Sequence, residues 1–203
     1  MKRIVLKILT ILFLASSSTF AFTQSLIKVQ KSVAGKMKFG YVDNRNKIII
    51  PYGKYDFAYS DTIDSLGYVL KKGKDIVAIN NKGKELFKVY VVDNGPDYPI
   101  NNIFRIVGKG KIGLANTNGF IILNPKYDFI RPFSNGYAAF NIGGKNKKIP
   151  NSDYSEFVGG KWGFLDQNGV EVIPPVFDEV LDFKNGETII KLNNKKFKIV
   201  PEK

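Results

Sequence analysis

Carboxylates are the side chains with which this sequence could carry out acid–base chemistry, because its 203 residues include no His and no Cys. That composition excludes Ser-His-Asp and Cys-His nucleophiles, His-based zinc sites and thiol redox chemistry. A pair of Asp or Glu side chains can still hydrolyse a glycosidic bond when the two flank it. The hydrolysis of a glycan by two carboxylates is therefore the catalytic hypothesis to test.

The acids of this chain fall into two groups. Three recur at regular positions and are typical of structural sites: Asp56, Asp128 and Asp178. Others stand in stretches without a regular pattern: Asp61, Asp64, Asp93, Asp97, Asp153 and Glu156. The sequence brings no two of them together. We therefore expect a protein that is not an enzyme, and we keep a carboxylate-based, glycoside-type hydrolase as the alternative.

Residues 93–97 (Asp-Asn-Gly-Pro-Asp) offer the oxygen ligands that Ca²⁺ prefers, but their spacing does not match an EF-hand loop. A turn is the better interpretation, because Asp, Asn, Gly and Pro all favour turns. Phosphate-binding and dinucleotide-binding glycine motifs are also missing from the sequence. We expect no metal and no cofactor.

Binding is the more natural use of the exposed side chains. Residues 143–158 combine cations with aromatic rings, and residues 93–100 add one more ring. The candidate ligand-binding residues are Lys145, Lys147, Lys148, Tyr154 and Tyr98. Cations beside aromatic rings suit sugars and anionic polymers. The alternative is a polar loop without function, which repeat proteins tolerate.

A pattern that recurs four times organises the rest of the chain. The first aligned strand position holds an aromatic or aliphatic residue: Phe39, Ile76, Ile112 and Trp162. The next position holds Gly40, Val77, Gly113 and Gly163. The strand ends at Asp43, Asn80, Asn116 and Asp166. Three residues later the turn holds Asn46, Gly83, Gly119 and Gly169. Gly and Asn tolerate the left-handed conformation of a tight turn, and the preceding Asp or Asn can accept hydrogen bonds within it. Each copy therefore predicts a β-hairpin.

The spacing of the copies predicts an all-β array. Gly40, Val77, Gly113 and Gly163 are 37, 36 and 50 residues apart, and the long interval contains an insertion near residues 143–158. The copy that follows Ile76 lacks the Pro and aromatic landmarks of the others and is degenerate. We expect tandem β-hairpin repeats in an open solenoid-like stack of about four units. A small β-propeller is the alternative.

The first 21 residues have the layout of a secretory signal peptide. Lys2, Arg3 and Lys7 precede an apolar run over residues 8–15, and residues 19–21 (Thr-Phe-Ala) form a cleavage site. The alternative is a membrane anchor, for which roughly 20 apolar residues are needed. Cleavage leaves residues 22–203, with a formal net charge of +10 and no stable membrane anchor. We expect an exported protein, periplasmic or extracellular.

Residues 160–166 (Gly-Lys-Trp-Gly-Phe-Leu-Asp), with the later Gly169, Pro174, Pro175, Phe177 and Asp178, resemble the WG-containing repeat family of bacteria. The resemblance extends over roughly residues 26–200 and implies tandem β-strand units in proteins that are often exported. It implies no reaction and supplies no catalytic residue. An interaction module of the cell envelope follows as the expected function, binding a protein or an anionic glycan. Nucleic acid is an improbable partner for an exported chain, in spite of its positive charge.

Overall fold

The computed structural model describes residues 24–73, 75–152, 155–181, 183 and 186–200. All regular elements in these ranges are β-strands, as expected from the repeat. No helix in the described part could cross a membrane. The predicted signal peptide, residues 1–21, lies outside the described residues.

The strands form four units and a final hairpin. The first unit contains β1 (Leu26–Val33), β2 (Lys36–Val42), β3 (Ile48–Ile50), β4 (Phe57–Ala58) and β5 (Thr62–Ile63). The second contains β6 (Leu66–Leu70), β7 (Ile76–Asn80), β8 (Glu85–Val89), β9 (Val91–Val92) and β10 (Gly95–Pro96). The third contains β11 (Ile103–Gly108), β12 (Lys111–Asn116), β13 (Ile121–Tyr127) and β14 (Phe129–Ile130). The fourth contains β15 (Ala138–Lys148), β16 (Ser155–Leu165), β17 (Glu171–Phe177) and β18 (Glu179–Val180), and the final hairpin is β19 (Thr188–Leu192) with β20 (Lys195–Ile199).

Each unit is an antiparallel hairpin to which a third strand adds: β1-β2-β3, β6-β7-β8, β11-β12-β13 and β15-β16-β17. The turn before the third strand is built identically in all four. In the first unit, Oδ1 of Asp43 accepts hydrogen bonds from the backbone N–H groups of Arg45 and Lys47, both at 2.9 Å. The equivalent oxygens of Asn80, Asn116 and Asp166 each accept two backbone hydrogen bonds in the same way. The interpretation of these acids and amides as turn residues is confirmed.

The glycine after the aromatic position lets the third strand pass close to the second. A Cβ added to Gly163 would lie 2.4 Å from the backbone oxygen of Ile173, and one added to Gly113 would lie 2.3 Å from that of Leu123. The pairing register shifts twice at this point in both units. Glycine is therefore required here by a neighbouring backbone rather than by its own dihedral angles.

The second unit has Val77 at this position, and its third strand behaves differently. β8 continues far enough to pair with β11, whereas β3, β13 and β17 are edge strands. The second and third hairpins thereby join into a seven-stranded sheet, β13-β12-β11-β8-β7-β6-β4. The copy that is degenerate in sequence is thus the one that fuses two units.

Successive units stack through the same turn. A Cβ on Gly83 would lie 3.1 Å from a side-chain carbon of Ile50 in the preceding unit. Likewise, a Cβ on Gly169 would lie 3.2 Å from the Cβ of Leu123. Core clusters also cross unit boundaries, since Tyr41 of the first unit packs with Val77 of the second. Among the described strands, β20 pairs with β19 alone and β1 pairs with β2 and β5, so no pairing closes the array. The expected all-β array of tandem antiparallel units is confirmed.

Two tyrosines tie neighbouring units together. The Tyr55 hydroxyl donates a hydrogen bond to Oε1 of Glu85 at 3.1 Å, and the Tyr127 hydroxyl donates to Oε1 of Glu171. Both glutamates lie two residues after a turn glycine of the following unit. Burial, and then the neighbouring carboxylate, raise the pKa of Tyr55 and of Tyr127 well above the ordinary tyrosine value.

We predict that the free energy of unfolding falls as the pH rises above about 10, where tyrosines of the unfolded chain ionise. The folded state holds these two protons to higher pH, so the stabilisation that they give is complete below that pH and is lost above it. Urea unfolding between about pH 9 and pH 11 measures the slope, which is up to ~1.4 kcal/mol per pH unit for each tyrosine. The Tyr55→Phe/Tyr127→Phe double variant should make the slope less steep without abolishing it, because burial also raises the pKa of Tyr41 and of Tyr68. Tyr98→Phe should leave the slope unchanged, because Tyr98 is 69% exposed. Equal slopes in all three proteins would contradict the prediction.

Candidate functional site

The insertion at residues 143–158 is a β-ribbon, not the polar loop that the sequence suggested. Residues 144–148 of β15 pair without interruption with residues 155–159 of β16, from Gly144↔Gly159 to Lys148↔Ser155. We call these paired residues the ribbon. It continues the hairpin of the fourth unit beyond the length of the other hairpins. Cross-strand pairing therefore holds the candidate side chains in a defined order.

A buried amide anchors the base of the ribbon. Asn141 has no exposed surface, and its Nδ2 donates a hydrogen bond to the Gly159 carbonyl at 3.1 Å. Its Oδ1 accepts one from the N–H of Gly144 at 2.9 Å. The chain can turn here because Gly143, Gly159 and Gly160 all have positive φ angles. A Cβ on Gly160 would lie 2.3 Å from Oδ1 of Asn141, so a side chain at that position would displace the anchor.

An open groove of about 540 Å³ lies beside the ribbon. One wall is the strand from Glu156 to Gly160, Trp162 lies at the base, and Asp178 and Glu179 at the start of β18 form the other wall. Because residues 159 and 160 are glycines, no side chain covers the backbone of the first wall at these two positions. We call this space the ribbon groove.

Two aromatic residues that line the ribbon groove, Phe157 and Trp162, pack together with Phe129. Phe129 and Phe157 stack with ring centroids 4.9 Å apart, and Trp162 meets the edge of both at 6.2 and 5.8 Å. The guanidinium carbon of Arg131 lies 5.0 Å from the centre of the Trp162 ring. Trp162 is 6% exposed, so its ring is chiefly a support for the groove. Phe157 is half-buried and presents more of its surface.

Lysines neutralise the carboxylates along the groove. Asp178 pairs with Lys161 at 2.5 Å, Glu179 with Lys191 at 2.8 Å, and Glu156 with Lys147 at 3.9 Å. The hydrogen bond from Lys161, supported by one from the Asn193 N–H, lowers the pKa of Asp178 below its usual range. Asp128 has the same arrangement in the third unit, with Lys111 and the Gly143 N–H as donors. These recurring acids therefore have a structural role that repeats with the unit.

The structure brings three of the five predicted site residues into one place. Lys145, Lys147 and Lys148 are all exposed on β15. Side chains alternate along a strand, so Lys145 and Lys147 lie on one ribbon face and Lys148 on the other. Lys148 shares its face with Phe157, which is paired with Asn146 across the ribbon. Tyr154 lies outside the described residues.

Tyr98 lies elsewhere. It borders a shallow concavity with Asp97, Ile100 and Pro132, among other residues, and none of the residues lining that concavity belongs to the ribbon. The neighbouring Asp97, whose irregular sequence surroundings predict a loop acid that the fold constrains little, is buried. Its carboxylate binds the Arg105 side chain at 2.5 and 2.9 Å and the Arg105 N–H at 2.8 Å. That interpretation was wrong, because the partner lies on β11 and only the fold brings it near.

Several residues of the ribbon groove were absent from the predicted site. Phe157, Trp162, Asp178 and Glu179 line the groove, and Asn141 anchors the ribbon that forms one wall. A signal for the ribbon did exist in the sequence, since paired glycines stand at 143–144 and at 159–160, at equal distances from the centre of the ribbon. Such a symmetric pair predicts two strands that bend together.

This geometry defines a class of protein, an open array of three-stranded β-units with one extended hairpin. The family model of the WG containing repeat matches residues 39–74, 112–145 and 162–195, about half of the chain. The chain therefore belongs to the WG-containing repeat family. The matches omit most of the second unit, in agreement with its degenerate sequence. A search of curated proteins gives no match.

Proposed function

We propose that this chain is an exported, non-catalytic binding module of the bacterial cell envelope whose ribbon binds an anionic glycan. The observation that carries the proposal is the ribbon itself. The ribbon interrupts the regular period of the array and presents lysines on both faces. It also borders a groove of about 540 Å³ whose lining includes Phe157 and Trp162. Function in repeat proteins tends to reside in such departures from the period.

The charges of the site support an anionic ligand. Lys145 and Lys148 have no carboxylate partner among the described residues. The acids of the groove already have lysine partners, so they add little repulsion toward an anion. Lysines and aromatic surface side by side suit a carboxylated or phosphorylated sugar polymer. An acidic protein is the second partner class that this surface fits, although the half-buried Phe157 ring beside the lysines favours the sugar.

Export and the lack of catalysis are supported by the sequence. The basic start, the apolar run and the small residues before position 22 have the order of a signal peptide. The hydrolase alternative needs one carboxyl group that stays protonated near neutral pH as the proton donor. The pKa of Asp178 is shifted in the opposite direction, which favours a binding role for the groove.

A binding titration tests the proposal. Polygalacturonate, a carboxylated glycan, is titrated into the purified protein by calorimetry at several salt concentrations, with uncharged dextran as the control ligand. We expect binding to polygalacturonate that weakens with salt and no binding to dextran. The Lys145→Gln/Lys148→Gln variant should bind about 3- to 30-fold more weakly, from ~0.3–1 kcal/mol for each exposed ionic contact.

The matched control removes two lysines elsewhere. Lys36 and Lys82 are exposed on the first and second units, so Lys36→Gln/Lys82→Gln changes the net charge equally. It should leave the affinity within about twofold of the original, if the ribbon is the site. Equal losses in both double variants would show a non-specific effect of net charge. Failure of the original protein to bind polygalacturonate at low salt would contradict the glycan proposal.

A further inference from the structure

The turn between the first two strands of a unit, which we call the hairpin tip, lies close to the tip of the next unit. Asp128, between β13 and β14, connects the third unit to the fourth. Its Oδ1 accepts a hydrogen bond from Nζ of Lys111, the first residue after the third tip, at 2.5 Å. Its Oδ2 accepts one from the Gly143 N–H at the base of the ribbon, at 2.8 Å. The third tip, residues 109–110, therefore lies near the ribbon on its β15 side.

The tip of the final hairpin is connected to the β16 side of the ribbon in the same way. Oδ1 of Asp178 accepts a hydrogen bond from Nζ of Lys161, at the base of the ribbon, at 2.5 Å. Oδ2 accepts one at 2.8 Å from the N–H of Asn193, which begins the turn between β19 and β20. Asp178 is also part of the second wall of the ribbon groove. The final tip therefore lies behind that wall.

Both of these neighbouring tips carry exposed lysines. Lys109 lies in the third tip, and Lys195 and Lys196 are the first residues of β20. None of them has a carboxylate partner in the part of the chain that the structure describes, and the same holds for Lys145 and Lys148 of the ribbon between them. Unpaired positive charge therefore continues beyond the ribbon on both of its sides.

These groups follow one another along a path across the fourth unit. The path begins at Lys109, passes the ribbon and the half-buried Phe157 ring, crosses the ribbon groove, and ends at Lys195 beyond the Asp178 wall. We call it the tip path. A small anion would need a single cluster of cations. Lysines that are distributed along a path, with an aromatic ring between them, instead fit a chain that carries an anionic group on successive sugars.

We propose that one linear anionic glycan follows the tip path and contacts the third hairpin, the ribbon and the final hairpin at the same time. This inference rests on the proposed function and extends it from the ribbon to a surface that recognises a polymer. The two connecting aspartates do not oppose an anionic chain, because Lys111 neutralises Asp128 and Lys161 neutralises Asp178. Contacts to one chain reinforce each other, because each later contact forms within the existing complex.

The length of the ligand tests this proposal. Trigalacturonate and polygalacturonate carry the same carboxylated sugar, but trigalacturonate is too short to reach from the ribbon to both neighbouring tips. Calorimetric titration of the full protein at one salt concentration gives the affinity for each ligand per sugar residue. We expect polygalacturonate to bind about tenfold more tightly or better on this scale, because its chain links contacts that separate short molecules cannot link.

A variant of the two neighbouring tips, Lys109→Gln/Lys195→Gln, locates the outer contacts. It should bind polygalacturonate about 3- to 30-fold more weakly and trigalacturonate within about twofold of the original protein. Its matched control is Lys36→Gln/Lys82→Gln, which removes the same charge and should change neither affinity by more than about twofold. All four lysines are exposed, so the fold should be retained, and circular dichroism verifies this.

The ribbon variant Lys145→Gln/Lys148→Gln separates this proposal from the proposed function, because it should weaken the binding of both ligands. Equal affinity per sugar residue for the two ligands would overturn the tip path and leave the ribbon as the glycan site. The same polygalacturonate affinity in the Lys109→Gln/Lys195→Gln variant and in its control would do so too. Failure of both ligands to bind would contradict the proposed function and the tip path together. Tighter binding of polyglutamate than of polygalacturonate would assign the path to an acidic protein instead.

Discussion

Replacing Trp162 by Ala is expected to lower the free energy of unfolding by about 3–5 kcal/mol, the range for the removal of a large buried aromatic side chain. The ring is 6% exposed and contacts Phe129 and Phe157, and the Arg131 guanidinium lies against it. Its loss would leave a cavity under the ribbon groove that neighbouring rings on paired strands fill only in part. Urea unfolding followed by far-ultraviolet circular dichroism gives the value, since Trp162 is the single tryptophan and its fluorescence is lost in the variant.

The control for this variant is an aromatic residue that is not buried. Phe120 follows the turn of the third unit and is 69% exposed. Phe120→Ala should change the free energy of unfolding by about 0.5 kcal/mol or less, as surface substitutions usually do. A cost below about 1 kcal/mol for Trp162→Ala would contradict the packing described here, because a buried ring cannot be removed so cheaply.

The repeat, the hairpins and the turn chemistry could all be predicted from the sequence, because each depends on residues close together in the chain. Asp43 and Asp166 bond backbone groups two and four residues away, which a local pattern can reveal. Pro125 and Pro175 lie on β13 and β17, and both are edge strands, where a residue without a backbone N–H is tolerated. Local rules of this kind apply whatever the rest of the chain does.

The ion pair of Asp97 could not be predicted from the sequence, because its partner is chosen by the fold. Asp97 and Arg105 are eight residues apart, on opposite sides of a bend that ends the second unit. They meet where β8 pairs with β11, whereas the other third strands, β3, β13 and β17, are edge strands. A one-residue difference, Val77 for Gly, accompanies that change of path.

Only part of the site was predicted from the sequence. The rest could not be, because it depends on which strands the fold brings together, as the Asp97 ion pair does. Composition alone identified the lysines of residues 143–158, since exposed charge needs no knowledge of contacts. The ribbon groove requires the second wall, Asp178 and Glu179, which comes from a strand beyond the next turn. Asn141 is equally hidden from a sequence reading, because an asparagine in a strand carries no sign that its amide will be fully buried.

Gly163→Ala is expected to destabilise the protein by about 3 kcal/mol or more, the upper range for overpacking a filled space. Intrinsic preference points the other way, since glycine inside a strand costs roughly 0.5–1 kcal/mol relative to alanine. Geometry outweighs that preference, because the new Cβ would lie 2.4 Å from the Ile173 backbone oxygen and 2.8 Å from the Phe140 ring. Backbone cannot move aside as a flexible side chain can. Urea unfolding followed by Trp162 fluorescence measures the effect beside the substitution.

Gly95→Ala separates this effect from the general cost of changing glycine. A Cβ at Gly95 would make ordinary contact, 3.6 Å from the Val92 backbone oxygen, so the change should be within about 1 kcal/mol of neutral. If Gly163→Ala were equally mild, the close passage of β17 would not be what requires glycine.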